Sequence, residues 1–70
     1  ISEIKMSSNN EIEIILSDEP THIYFGNTKI NERIENLVEF SNLLKPKSLS
    51  SFTYLDMRFD NQIIAKERSI

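Results

Sequence analysis

Three sets of residues have types and spacings that chemistry could use. Asp56 and Arg58 stand two apart in Tyr54-Leu55-Asp56-Met57-Arg58-Phe59, so on a strand both project from one face. Such a pair is either a partner contact or a structural ion pair, worth at most about 1 kcal/mol in solvent. We read it as structural, tying its strand to a neighbour. His22, the one histidine, lies beside Thr21 and near Tyr24. Acid–base catalysis needs a positioned partner and a pocket. The acidic neighbours Asp18 and Glu19 fall in a turn, and no serine or cysteine nucleophile context surrounds His22, so it reads as a strand-surface residue. Glu11 and Glu13, with Glu3 near by, form the third set. They lack the loop spacing that converges oxygens on a hard cation, and read as solvating charges.

Composition removes further classes. The 70 residues hold no cysteine, which excludes a disulfide framework and thiolate metal sites. With a single histidine, a zinc site would rest mostly on carboxylates. One glycine, Gly26, excludes the glycine-rich phosphate cradles, and no cofactor is implied. Eight basic residues against 11 acidic ones give a net charge of −3, unsuited to nucleic acid. Apolar runs such as Ile14-Ile15-Leu16 are far too short to span a bilayer. Apolar residues at 39% and charged residues at 27% describe one small folded unit. No signal-peptide pattern follows Ile1, and the chain is expected to be a piece of something longer.

The elements that would position these groups follow from periodicity. Glu11 to Leu16 alternates, with Ile12, Ile14 and Leu16 on one face and Glu11 and Glu13 on the other. Ser17-Asp18-Glu19-Pro20 is a turn, and His22-Ile23-Tyr24-Phe25 is the returning strand of a hairpin. Ile1 to Met6 adds a further strand, with Ser7 to Asn10 as its turn. From Lys29 the period changes. Ile30, Ile34, Leu37, Val38, Ser41 and Leu44 share a helical face, with Phe40 at its margin, and Asn27 or Thr28 is the expected cap. Pro46 ends the helix, and Ser48 to Ser51 is a loop.

Phe52 to Phe59 alternates again, with Leu55, Met57 and Phe59 opposite Tyr54, Asp56 and Arg58. Phe52 joins Tyr54 on the outer face, as an interaction anchor or as packing for strands outside this chain. Asp60-Asn61 is a tight turn, with Asn61 able to take left-handed backbone, and Ile63-Ile64-Ala65 begins the last strand. The fold class is α+β, a small antiparallel β-sheet with one amphipathic helix on one face, in the order β(β)βαββ.

The order and spelling of the second half go further. A strand ending Ile23-Tyr24-Phe25-Gly26, an amphipathic helix and then Leu55-Asp56-Met57-Arg58-Phe59 resembles the C-terminal part of the FtsQ/DivIB family of bacterial cell-division proteins. The resemblance covers about Glu11 to Lys66. This chain departs from the family in three places: Asn61-Gln62 stands where a glycine is common, and Asp18-Glu19-Pro20 replaces an asparagine- or aspartate-glycine turn. The family's tryptophan near the end of the last strand has no counterpart, and Glu67 lies close to that place.

The resemblance implies a non-enzymatic scaffold that binds FtsB-like and FtsL/DivIC-like division proteins. It would sit at the bacterial cytoplasmic membrane with this domain on the extracytoplasmic side. The anchor and a POTRA module would lie upstream, so residues 1–70 form one small domain of a longer membrane-anchored protein. No nucleic acid, small-molecule substrate or direct membrane contact is implied. In the family the partner adds a strand to the edge formed by the last strand. Carried onto this sequence, the contact residues are Phe59, Asp60, Asn61, Gln62, Ile63, Ile64, Ala65 and Lys66. The residue pattern alone is equally satisfied by a ubiquitin- or ferredoxin-like interaction or regulatory module of an unrelated multidomain protein.

Overall fold

The computed structural model describes residues 3–16 and 20–68. Strands β1 (Glu3–Met6), β2 (Ile12–Leu16) and β3 (Thr21–Gly26) are followed by helix α1 (Ile30–Leu44), then β4 (Phe52–Phe59) and β5 (Gln62–Glu67). The sheet order is β1-β2-β3-β4-β5, with the helix packed over β3 and β4. The element order and the helix-on-sheet arrangement are those expected from periodicity. One pairing differs. β3 and β4 run parallel, with Ile23 beside Leu55, while the other pairs are antiparallel. The helix carries the chain back along the sheet, so the next strand starts at the same end as the last and must run the same way. The expected turn at Ser17 to Glu19 lies outside the described residues.

The core forms where alternation placed it. Ile23, Phe25, Leu55 and Met57 are buried, and Ile12, Ile14 and Leu16 pack against them. Phe52 is a correction: it is buried, its ring 5.8 Å from that of Phe40, rather than on the outer face with Tyr54. The β4–β5 register slips between Phe52 and Tyr54, and the inserted residue returns Phe52 to the face of Leu55. Thr21 is also fully buried, its hydroxyl donating 2.7 Å to the Phe52 carbonyl.

The helix is rotated from the expected face. Ile30, Leu37, Phe40 and Leu44 pack inward together with Arg33, while Ile34 and Val38 are 42% and 54% exposed. Packing chiefly against β3 and β4 selects a narrow stripe, and one flank of the apolar arc is left uncovered. The cap also differs. Lys29 occupies that position with left-handed backbone (φ 53°) and no capping side chain, while the Asn27 amide donates 3.1 Å to the Asn9 carbonyl. Lys45 takes the extended conformation required before Pro46, and the serine-rich loop contains a 3₁₀ turn, Leu49–Ser51.

Candidate functional site: the β4–β5 edge

β5 is an edge strand of six residues, and alternate residues of such a strand aim their amide and carbonyl groups away from the sheet. Its two faces differ. Ile63 turns toward the helix and packs on the core, whereas Ile64 pairs with Asp56 and is 37% exposed. Ala65 and Lys66 continue the exposed edge opposite Leu55 and Tyr54. At the start of the strand, a groove of about 400 Å³ opens between the β4–β5 turn and the helix flank. Phe59, Asp60, Asn61, Gln62 and Ile63 form one wall. Five expected contact residues thus meet at one groove, and Ile64, Ala65 and Lys66 extend from it along the edge.

The opposite wall is one that the strand pattern does not reveal. It comes from the helix, chiefly Asn36, Glu39, Phe40 and Leu43. Leu43 is 83% exposed, the largest exposure among the large apolar side chains of the described residues. A signal exists in the sequence, because Leu43 falls off the helix's apolar stripe and lacks the polar character of that face.

Both ends of the edge are tied down. At the turn, the Asp60 carboxylate accepts from Lys29 Nζ at 3.1 Å and from Arg33 at 3.2 Å. These cations, Lys29 first, hold its pKa below the ordinary carboxylate value of 3.8. The turn itself uses no left-handed residue at Asn61, since positive φ among non-glycine residues occurs at Asn10 and Lys29. A register slip between Asp56 and Phe59 does the bending instead. At the far end, the Arg68 guanidinium donates to the Phe52 carbonyl (2.9 Å), the Thr21 hydroxyl (3.1 Å) and the Pro20 carbonyl (3.1 Å). The charged tail after Ala65 is therefore strand followed by a clasp.

The residues whose types suggested chemistry fall elsewhere. Arg58 donates to both Asp56 oxygens, at 2.8 and 2.6 Å, and lies 5.6 Å from the Tyr24 ring centre. The pairing is the structural one expected, although Asp56 is only 8% exposed. The Arg58 hydrogen bonds, acting against burial, draw the Asp56 carboxyl below its ordinary range. Gly26 (φ 75°) makes room for the arrangement: a Cβ there would approach Arg58 Cγ to 3.3 Å. His22 does have a carboxylate partner, Glu13 on the adjacent strand, at 2.5 Å. Both groups lie on the outer face of the sheet, and His22 lines neither the β4–β5 groove nor the second hollow, of about 360 Å³, beside Arg58. Glu3 pairs with Lys5, so the three glutamates do not converge. Among the described residues, no group of three or more His, Cys, Asp or Glu could hold a metal ion.

A family profile described as FtsQ/DivIB, C-terminal related, matches residues 1–66. The chain belongs to that family. It is thus a domain of a cell-division family that is non-enzymatic and membrane-anchored, with an extracytoplasmic domain. No curated protein and no solved structure matches the chain. Among the described residues, no helix is long and apolar enough to cross a membrane. Within this FtsQ/DivIB-related chain, the Leu55-Asp56-Met57-Arg58-Phe59 signature forms the strand that positions the edge: two residues enter the core, two pair across the open face, and Phe59 opens the groove.

Proposed function

We propose that this domain recruits FtsB-like and FtsL/DivIC-like division proteins by accepting a partner strand along β5. It would do so on the extracytoplasmic side of a bacterial cytoplasmic membrane, as the C-terminal part of a longer anchored protein. The observation that carries the reading is the edge itself. Among the described residues β5 pairs with β4 on one side only, and its start lies against a groove where Phe40, Leu43, Phe59 and Ile63 alternate with polar side chains. An added strand would gain affinity from backbone hydrogen bonds and specificity from alternate side chains. Those on the helix side would enter the groove between Phe59 and Leu43; those on the other would meet Ile64 and Lys66. Ile63 to Ala65 carry no charge to discourage pairing, whereas Lys66 and Glu67 limit its length. No chemistry is required of the domain. Its contribution to septal wall synthesis is to hold an assembly together.

The test is an NMR titration of the isotope-labelled chain with the extracytoplasmic segments of FtsB-like and FtsL-like proteins from the same bacterium. Shifts concentrated from Phe59 to Lys66 are expected. Shifts confined to β1 and β2 would move the site, and none in a protein carrying its full extracytoplasmic region would end the partner assignment.

A further inference from the structure

Arg33 stands out on the inner face of the helix. Its neighbours there, Ile30, Leu37, Phe40 and Leu44, are apolar, yet Arg33 is itself only 5% exposed. Burying a guanidinium is unfavourable unless its donors are used. Its Nε finds no acceptor among the described residues, so packing does not account for it. A leucine or methionine would fill the position without that penalty. What arginine adds is reach: from beneath the sheet–helix junction its terminal nitrogen meets Asp60, 27 residues along the chain. Lys29 meets the same oxygen from the solvent side.

We infer that Arg33 is a positioning residue for β5. It grips Asp60 from below, fixes the two-residue turn against the first turns of the helix, and so sets the start of the free edge in register before any partner arrives. The inference deepens the strand-addition reading and rests on it for its purpose. An edge held in its bound form binds more tightly, because less ordering remains to be done on association. The pair works as one device, since Asp60 is 62% exposed in its side chain while Arg33 is 6% exposed. The buried member supplies rigidity and the exposed member transmits it to the turn.

The test uses Arg33→Met, which keeps the stem and removes the charge, together with Asp60→Ala, their double variant and Arg33→Lys. Amide hydrogen exchange of the free protein is read first. Both single variants should speed exchange from Phe59 to Ile63 by roughly tenfold while leaving β3 unchanged. The double variant should add little to Asp60→Ala, which already releases both Lys29 and Arg33, and Arg33→Lys should keep part of the protection. Affinity for an FtsB-like segment should fall by a similar factor. Uniform acceleration through all strands, or unchanged exchange at Phe59 to Ile63, overturns the inference. Should Arg33→Met fail to fold, Arg33→Gln, read beside Lys29→Met to separate the two cations on Asp60, decides the question by the same exchange measurement. A wild-type protein that binds no segment defeats the strand-addition reading alone, because the exchange measurement involves no partner.

Discussion

The sheet has two free edges, and they are built differently. β1 is four residues long, exposed throughout, and lies beyond the strands that the helix covers. Ile4 and Met6 face the helix side but reach nothing that buries them, each remaining 65% exposed. β5 is six residues long, seats Ile63 on the core, and is pinned at its turn by Lys29 and Arg33 and at its far end by Arg68. Edge strands are alike in their unpaired backbone groups, but only a fixed one presents them at a constant spacing. The contrast supports the proposal that a partner strand adds to β5 rather than to β1, where charged residues alternate with apolar ones. Exposure of apolar side chains identifies surface; anchorage of the backbone identifies a template.

The largest expected effect tests the body that supports β5. Leu55 is fully buried next to the edge, so Leu55→Ala should destabilise the fold by about 2–5 kcal/mol in chemical denaturation. A loss under ~1 kcal/mol would mean that the β4–β5 side is not the stable one. Arg68→Ala should cost roughly 1–3 kcal/mol through its charged hydrogen bonds to Phe52 and Thr21, with exchange rising first at the end of β5. Equal acceleration in β1 would blur the contrast between the edges. Gly26→Ala should cost about 1–2 kcal/mol by thermal melting, since φ is 75° and Arg58 crosses the site.

The central alternations and the element order were legible because Ile23, Phe25, Leu55 and Met57 each sit on a strand covered on one face, where period two is enforced. The features that were not legible are set by tertiary contact. Phe52 changes face through a register slip that no local pattern encodes. The helix turns Ile34 outward and Arg33 inward because it packs chiefly on β3 and β4. The parallel β3–β4 pairing depends on where the helix returns the chain. At the site, the turn and strand residues are an expectation from the family resemblance, and the structure brings Phe59 to Ile63 to one groove. Leu43, apolar yet off the helix's apolar stripe, left a signal, but that the helix forms the groove's other wall and that Arg33 reaches Asp60 required the folded geometry.

Acid provides a smaller, graded test. The carboxyls of Asp56 and Asp60 both ionise below the ordinary value of 3.8 in the folded protein, chiefly through Arg58 and Lys29 respectively. A folded value below the unfolded one means that the added stability is fully present above the unfolded value. It is lost as pH falls through the folded one. Stability measured by denaturation should therefore decline below about pH 4, and Asp56→Asn should flatten that decline. A profile unchanged by Asp56→Asn would deny the open-face ion pair any part in stability. The smallest effect belongs to the loose edge: Ile4→Ala should change stability by no more than about 0.5 kcal/mol.

The most direct measurement compares the two edges in one experiment. Amide protection in β1 and β5 is recorded by NMR hydrogen exchange, first free and then saturated with an FtsB-like segment. Free β5 should show higher protection than free β1, and binding should add a further gain at alternate residues of β5 alone. A gain confined to β1, or protection in β5 that the segment leaves unchanged while it binds, would contradict strand addition at β5.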